Sequence, residues 1–256
     1  MKKITLIGYP AGHSLSPKLF ELGYLSSPNI NKSWSYWITE EKNLDKALQI
    51  IKEENIHWAN ITAPFKEKIM RYVSKKDNIS SKIGASNLIN IDSNGDIISF
   101  NTDYYAAKSA IRKSIEILNR ERKNIKVYIV GHGGAGKSAE AATKDFGLEY
   151  NIYNRTLTNN IKKLEEFEND IIENKLGISI IFYTLPTYTP IVENIKKIEG
   201  TFSVIEPNYL SPSLQDSPNY ISGIEWLIEQ AYEGFYLMTG VRPNKKEMVR
   251  IADLTK

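Results

Sequence analysis

Residues 126–138 read KVYIVGHGGAGKS and join an apolar, β-branched run to a glycine-rich turn. The run KVYIV is typical of a buried strand, and the residues from 135 onward follow a helical pattern. A strand, a glycine loop and a helix in this order bring backbone amides to a helix N-terminus, where they can bind a phosphate. The predicted phosphate loop contains Gly131, Gly133, Gly134, Ala135 and Gly136.

Two phosphate-binding motifs fit this loop at once. The pattern GxGxxG, through Gly131, Gly133 and Gly136, is typical of dinucleotide sites. The pattern GxxxxGK[ST], which adds Lys137 and Ser138, is typical of nucleoside triphosphate sites. The loop alone does not distinguish the two, so the choice depends on the strands that follow.

The strand predicted at 149–154 favours the dinucleotide. It ends in Asn154, Arg155 and Thr156, a cation flanked by two hydrogen-bonding side chains, which suits the 2′-phosphate of NADP better than the bare ribose of NAD. A triphosphate site needs a strand-end acid for magnesium, and the strand predicted at 178–184 ends without one. We therefore expect NADP, with a P-loop NTPase as the alternative.

Outside this unit, short β-branched or aromatic runs alternate with amphipathic stretches, which is the pattern of an α/β protein. The predicted strands are 3–8, 33–39, 58–62, 87–91, 96–100, 126–130, 149–154, 178–184 and 201–206. The predicted helices are 41–53, 65–73, 104–118, 135–146, 158–168, 223–239 and 244–254, with no strand after Pro218. Because Asn94-Gly95 is a strong hairpin signal, the first half should carry a mixed sheet.

These elements predict two α/β domains. Residues 1–103, joined by the helices of 223–256, should form a mixed-sheet domain. Residues 104–222 should form a Rossmann-type domain, and the polar stretch at 119–124 is the best candidate boundary between the first domain and the βαβ pattern of the second. We expect the active site in the cleft between the domains.

Composition excludes several classes of protein. The chain has 256 residues, of which 41% are hydrophobic and 25% charged, as in soluble globular proteins. A net charge of +3 argues against a dedicated nucleic-acid or membrane-surface protein, and no apolar stretch approaches the roughly 18 residues that span a bilayer. The absence of cysteine suits the reducing environment of the cytoplasm. Together with the scattered positions of the three histidines, it also argues against a metal site.

Two predicted strand-to-helix corners in the first half carry polar side chains. The segment GYPAGHSLSP places Ser14 and Ser16 before Pro17, where Ser16 should cap a helix and both hydroxyls could bind a carboxylate. The segment NITAPFK places Thr62 and Lys66 after the third strand. A lysine at a helix start is usually only solvated, so this position alone assigns no function.

Six segments together resemble the shikimate dehydrogenase family. They are GYPAGHSLSP at 8–17, NITAPFK at 60–66, GASN at 84–87, NTD at 101–103, GHGGAGKS at 131–138 with NRT at 154–156, and GIEWLIEQA at 223–231. Each is weak alone, but their order and spacing match the family over nearly the whole chain. The resemblance implies an NADP-dependent oxidoreductase that reversibly reduces 3-dehydroshikimate to shikimate, in aromatic amino-acid biosynthesis.

The resemblance also implies roles for individual residues. Lys66 and Asp103 would form the catalytic pair, although Asp103 could equally cap the helix predicted at 104–118. The implied substrate-binding residues are Ser14, Ser16, Thr62, Asn87, Thr102, Tyr209 and Gln230. The implied NADP-binding residues are Gly131, Gly133, Gly134, Ala135, Gly136, Asn154, Arg155, Thr156 and Gly223. The expected partners are small molecules, and the expected state is a monomer or homodimer.

Two segments depart from the family pattern near the implied cofactor. Residues 183–188, YTLPTY, replace an Asn-x-Thr and Gly-Met segment, and Trp226 stands where methionine is usual. These changes predict a reshaped cofactor pocket. The alternatives are a dehydrogenase of quinate, an aminated shikimate or another cyclic polyol, the P-loop NTPase, and a nucleotide-dependent regulatory protein without turnover.

Overall fold

The computed structural model describes residues 2–27, 34–119, 124–157, 160–173, 177–186 and 188–254. The chain divides into two compact units. The first contains Met1–Asp103 and Ile228–Lys256, and the second contains Tyr104–Leu227. In the described part of the chain, no helix is both long enough and apolar enough to cross a lipid bilayer.

The first unit is built on a mixed sheet of six strands. Its elements are β1 (Lys2–Gly8), α1 (Ser16–Phe20), β2 (Trp34–Glu40), α2 (Leu44–Glu53), β3 (Trp58–Ile61), β4 (Lys75–Lys76), α3 (Asn78–Ile83), β5 (Leu88–Ile91) and β6 (Ile97–Phe100). The strand order is β2-β1-β3-β5-β6-β4. Strand β5 is antiparallel to β3 and β6, and the other pairs are parallel, which confirms the predicted mixed sheet.

The strand register of this sheet brings four chain segments to one edge. Ile7 pairs with Ile61, so the ends of β1 and β3 lie side by side. Leu88, the first residue of β5, pairs with both Asn60 and Phe100, so the start of β5 meets the ends of β3 and β6. We call this edge of the first sheet, where β1, β3 and β6 end, the polar edge. It holds the loops that carry the GYPAGHSLSP, NITAPFK, GASN and NTD segments.

The second unit is built on six parallel strands. Its elements are α4 (Asp103–Leu118, all but its first residue), β7 (Ile125–Val130), α5 (Gly134–Asp145), β8 (Glu149–Tyr153), β9 (Ile161–Lys162), α6 (Glu166–Glu173), β10 (Ile178–Tyr183), α7 (Ile191–Lys196), β11 (Thr201–Ile205) and β12 (Tyr220–Ile221). The order β12-β11-β10-β7-β8-β9 is the doubly wound order of a Rossmann fold. Because helices cover a parallel sheet on both faces, its central strand β10 is buried over almost its whole length.

Two helices complete the chain. Helix α8 (Gly223–Thr239) contributes its first five residues to the second unit and the remainder to the first. Helix α9 (Lys245–Val249) is capped by the Asn244 side chain, which accepts a hydrogen bond from the Glu247 amide, and a 3-10 turn (Arg250–Leu254) follows it. The helices predicted at 104–118, 135–146 and 223–239 are confirmed to within one residue.

Two predicted helices are wrong. Within 65–73 only Lys68–Arg71 forms a 3-10 turn: the Met70 amide donates to the Glu67 carbonyl at 3.2 Å, and the Lys66 carbonyl accepts the Ser86 amide at 2.8 Å. Within 158–168, residues 158 and 159 lie outside the described part of the chain, while Ile161–Lys162 pairs with β8 as a strand and α6 begins only at Glu166. Sheet pairing overrode the helical pattern there.

Besides β9, two further short strands escaped prediction. Strand β12 pairs with β11 after Pro218, where no strand was expected, and β4 pairs with β6. Each has two residues, too few to show an alternating pattern. The stretch 119–124, of which 120–123 lie outside the described residues, does not begin the second unit. That unit begins at Tyr104, because α4 packs within it and Ser203 donates to Ser114 at 2.8 Å.

Replacing Gly84 by Ala should destabilise the first unit. Gly84 ends α3 in the left-handed conformation with φ of 71°, and no atom lies within 4 Å of an added Cβ, so only backbone strain opposes the methyl group. We expect the free energy of unfolding to fall by about 1 kcal/mol, and by less for Gly84→Asn, because asparagine tolerates this conformation. Urea unfolding measures both, and an Ala variant as stable as the wild type contradicts the assignment.

Candidate functional site

A lysine and an aspartate form an ion pair at the polar edge. Lys66 follows β3, and Asp103 follows β6 as the first residue of α4. The Lys66 Nζ donates to the Asp103 Oδ2 at 2.6 Å, and the Asp103 side chain is only 3% exposed against 21% for Lys66. A carboxylate buried to this degree requires a cation. The Lys66 ammonium has further N–H groups besides the one that binds Asp103, and because the side chain is partly exposed, a ligand can reach them.

The backbone around Lys66 is fixed from both sides. The Phe65 side chain is buried, and its amide donates to the Thr62 carbonyl at 2.9 Å. The Thr62 amide donates to the Ile7 carbonyl at 2.9 Å, and a Cβ on Gly8 would overlap the Thr62 methyl group. The loop after β1 and the loop carrying Lys66 are therefore held in direct contact.

Asn87, Thr102 and Gln230 form a buried amide network beside the pair. The Asn87 Nδ2 donates to Thr102 Oγ1 at 2.9 Å and to Gln230 Oε1 at 3.2 Å. The Asn87 Oδ1 in turn accepts the Thr102 amide at 2.6 Å, and the Thr102 hydroxyl lies 3.2 Å from Gln230 Oε1. Because Thr102 directly precedes Asp103, this network fixes the backbone from which the carboxylate extends.

The hydroxyls of the two serines after β1 lie within hydrogen-bond distance of each other, but Ser16 does not cap helix α1 as predicted. Helix α1 begins at Ser16 with Leu15 as its N-cap, so the prediction of Ser16 as the cap is wrong. The Ser14 hydroxyl accepts the Ser16 amide at 3.3 Å and donates to the Ser16 hydroxyl at 3.2 Å. The Ser14 side chain therefore satisfies the backbone amide of Ser16, the first residue of α1, and the two hydroxyls lie together.

Sequence reasoning missed the residue that holds this loop. The Glu40 carboxylate, at the end of β2, accepts the Ala11 amide at 2.9 Å and also the Gly12 amide. A Cβ on Gly12 would lie 2.9 Å from the Glu40 Oε2. No motif marks Glu40, because its role depends on the parallel pairing of β1 with β2, in which Gly8 lies opposite Glu40.

In the second unit, the glycine loop has the geometry of a phosphate cradle. Gly131 has φ of 96°, and a Cβ on Gly136 would overlap the Gly131 carbonyl oxygen, so glycine is required at both positions. Helix α5 begins at Gly134, its N-cap Gly133 supplies no side-chain cap, and its first helical bond runs from the Lys137 amide to Gly133. The amides of Gly134, Ala135 and Gly136, in the first turn of α5, are therefore available to an anion, and a dinucleotide phosphate fits the loop.

The same geometry disfavours the triphosphate alternative. In that motif the serine hydroxyl binds magnesium beside the phosphates. Here the Ser138 side chain is fully buried, and its hydroxyl donates to the Gly134 carbonyl at 2.9 Å inside the helix. Gly136 instead brings the helix close to the strand, as the third glycine of a dinucleotide motif does.

The tip of β8 lies next to the glycine loop. Val130 pairs with Tyr153, and the Gly131 amide donates to the Tyr153 carbonyl at 2.8 Å, so Asn154 adjoins the loop. The Asn154 Nδ2 donates to the Thr156 carbonyl at 3.3 Å. Arg155 and Thr156 are exposed.

Two further predicted residues adjoin each other in the second unit. A Cβ on Gly223 would lie 2.6 Å from the Pro207 carbonyl oxygen and 2.7 Å from the Tyr209 amide. Gly223 is therefore needed where α8 begins against the segment carrying Tyr209. The Tyr209 side chain is partly buried.

A histidine in the glycine loop pairs with a glutamate of α5, which sequence reasoning also missed. The His132 Nε2 lies 2.8 Å from the Glu140 Oε2, and the Lys144 Nζ lies 2.7 Å from the Glu140 Oε1. The hydrogen bond with His132, joined by Lys144 and opposed by burial, lowers the pKa of Glu140 to about 2. The four-residue spacing of Glu140 and Lys144 was the one available sequence signal.

Comparison with known proteins identifies the family. The model for the shikimate dehydrogenase substrate binding domain matches residues 6–89. A shikimate dehydrogenase (NADP(+)) from Methanococcus maripaludis is 30% identical, over 95% of this chain and 94% of that protein. The chain belongs to the shikimate dehydrogenase family.

Solved structures of shikimate dehydrogenases share this fold. One in complex with NADP+ is 26% identical, with a TM-score of 0.72 and coverage of 100% of this chain and 96% of that one. The enzyme from Aquifex aeolicus, 23% identical over 98% and 97% of the two chains, has a TM-score of 0.78. The predicted two-domain α/β architecture with a Rossmann-type half is confirmed.

The segments that depart from the shikimate dehydrogenase pattern have structural roles here. The Thr184 hydroxyl donates to the Gly131 carbonyl at 3.0 Å and supports the glycine loop. Tyr183 is buried, and Trp226 is buried with its ring edge-on to Phe182 at 6.4 Å. Tyr188 is exposed, and residue 187 lies outside the described part of the chain. A reshaped cofactor pocket stays a prediction.

Replacing Glu140 by Gln should change how stability depends on pH. The pKa of Glu140 falls from 4.5 to about 2 on folding, so its ionised form stabilises the fold above pH 4.5, and this contribution is lost as the pH falls through 2. We expect Glu140→Gln to lower the free energy of unfolding by up to about 3 kcal/mol at pH 7 and by about half as much at pH 3. Chemical unfolding at both pH values tests this, and a loss that does not shrink at pH 3 contradicts it.

Proposed function

We propose that this chain is an NADP-dependent oxidoreductase that interconverts 3-dehydroshikimate and shikimate. The observation that carries the proposal is the Lys66–Asp103 ion pair. The Nζ of the partly exposed Lys66 lies 2.6 Å from the Oδ2 of the buried Asp103. The Methanococcus maripaludis relative, similar over nearly its whole length, is named shikimate dehydrogenase (NADP(+)). Family, geometry and loop chemistry thus agree on one reaction.

Lys66 is the proton donor and acceptor of this reaction. Reduction of a ring ketone places negative charge on its oxygen, and an ammonium within hydrogen-bond reach stabilises that charge and supplies the proton. In the reverse direction the amine takes the proton of the hydroxyl. Asp103 holds the ammonium in one place and accepts a hydrogen bond from a substrate hydroxyl.

The remaining residues of the polar edge bind the substrate. The paired hydroxyls of Ser14 and Ser16 hold its carboxylate. Its ring hydroxyls bind to the polar groups of Thr62, Asn87, Thr102, Asp103 and Gln230. Most of these side chains already hydrogen-bond one another, so little conformational entropy is lost on binding. Tyr209 of the second unit is assigned to the substrate from the family resemblance alone.

The second unit holds the cofactor. The amides of Gly133, Gly134, Ala135 and Gly136 bind its diphosphate, next to the left-handed turn at Gly131. Asn154, Arg155 and Thr156 bind the 2′-phosphate, and Gly223 lines the cofactor site. NADP supplies or accepts the hydride when bound. The first unit is accordingly the substrate domain, which agrees with the match of residues 6–89 to a substrate binding domain.

Quinate or another cyclic polyol is less favoured as the substrate. Three curated relatives that match over nearly the whole chain are each named shikimate dehydrogenase (NADP(+)). Turnover with shikimate, quinate and an aminated shikimate, followed by NADPH absorbance, compares these substrates directly. A regulatory protein would bind such ligands without turnover.

Replacing Lys66 by Ala should abolish most turnover while leaving cofactor binding intact. Loss of a proton-transfer group lowers kcat by about 10²–10⁴-fold. Steady-state kinetics with shikimate and NADP measure kcat, and equilibrium titration measures the Kd for NADPH. The matched control is Lys68→Ala, which removes an exposed lysine two residues away and should keep normal turnover. Near-normal kcat in Lys66→Ala would remove Lys66 from the mechanism.

Replacing Arg155 by Ala should separate NADPH from NADH. A guanidinium that binds the 2′-phosphate contributes charge-assisted hydrogen bonds that NADH cannot make, so the Kd for NADPH should rise about 10²-fold while that for NADH scarcely changes. The control is Arg112→Ala, which removes an exposed arginine of α4. Equal losses for the two cofactors contradict the assignment of Arg155.

A further inference from the structure

The His132–Glu140 pair lies inside the loop assigned to the cofactor diphosphate. His132 stands between Gly131, at the end of β7, and Gly133, the N-cap of α5. Its side chain is 15% exposed, and its Nε2 is held 2.8 Å from the Glu140 Oε2. The backbone of His132 is therefore part of the loop, and its imidazole is held against the Glu140 carboxylate of α5.

The charges around the pair are nearly balanced without a proton on the histidine. On α5, the Glu140 carboxylate also binds Lys144 at 2.7 Å, and from β8 the Tyr150 hydroxyl donates to it at 3.3 Å. Lys144 thus matches the charge of Glu140. A proton on the imidazole adds a positive charge that this cluster does not neutralise. Two further cations belong to segments that adjoin the loop: Lys137, in the first turn of α5, and Arg155, after β8.

We propose that a protonated His132 strengthens the binding of NADP to this loop, so that the affinity for the cofactor rises as the pH falls. The inference rests on the proposed function, in which the loop binds a dinucleotide. Because the diphosphate stays negative across the neutral range, an additional cation in the loop attracts it at low pH only. At the separations within one loop, with solvent nearby, such a charge changes affinity by about 3- to 10-fold.

The test is a calorimetric titration of NADP into the substrate-free protein between pH 6 and pH 8.5. His132→Gln keeps an amide that can donate to Glu140 but carries no titratable proton. The 2′-phosphate of NADP also titrates in this range, but equally for every variant, so the difference between wild type and His132→Gln isolates the histidine. We expect the Kd of the wild type to rise about 3- to 10-fold more over this range than that of His132→Gln.

Proton linkage gives a second readout of the same claim. Titrations at pH 7 in buffers of different ionisation enthalpy report the protons taken up on binding, and the wild type should take up more than His132→Gln. The matched control is His57→Gln, at an exposed position in the first unit, which should behave as wild type. If His132→Gln does not fold, as judged by circular dichroism, His132→Asn takes its place.

Parallel pH curves and equal proton uptake for wild type and His132→Gln overturn the inference but leave the proposed function standing. A wild type that binds NADP at no pH overturns both. A steeper pH dependence in the wild type alone supports both.

Discussion

The burial of the Asp103 carboxylate is the constraint on which the first unit depends. A charge that is only 3% exposed needs a cation and hydrogen bonds, because an unpaired carboxylate at this depth costs several kcal/mol. Lys66 supplies the cation at 2.6 Å. The segment that carries Lys66 forms no α-helix after β3, and the Lys66 carbonyl accepts the Ser86 amide.

The surrounding polar groups follow from the same constraint. Thr102 fixes the backbone before Asp103, and its partners Asn87 and Gln230 are buried with it. A polar network in a buried site is favourable only when its members are satisfied, and these side chains satisfy one another. The network therefore holds the ion pair rigidly and presents polar atoms at one edge of the sheet. This is the preorganisation that proton transfer to a bound ketone requires.

In the second unit, the close approach of the α5 backbone to the glycine loop after β7 positions the proposed cofactor site. Gly136 lets α5 approach the Gly131 carbonyl so closely that a single methyl group would not fit. The helix N-terminus is thereby held at the end of β7. The hydroxyl of Thr184, the residue after β10, donates a hydrogen bond to the Gly131 carbonyl of the same turn. Each unit thus places its functional groups where parallel strands end, which is where α/β sheets bind ligands.

The sequence predicted these features where the signal was local and failed where it was not. The Asn94-Gly95 hairpin and the glycine loop carry their own backbone preferences, so the mixed sheet and the Rossmann order could be anticipated. The helix expected at 65–73 is wrong, and the Lys66 carbonyl in that segment bonds to the amide of Ser86, a contact that the local sequence does not reveal. Glu40 and the His132–Glu140 contact were missed for the same reason, since each depends on elements that meet only after folding.

A crystal structure of the protein with bound shikimate tests the central claim most directly. The account predicts that the Lys66 Nζ lies within about 3.2 Å of the hydroxyl oxygen on the carbon to be oxidised, while keeping its bond to Asp103. It also predicts the carboxylate of shikimate on the hydroxyls of Ser14 and Ser16. An ammonium that points into solvent, with the substrate bound elsewhere, would contradict the account.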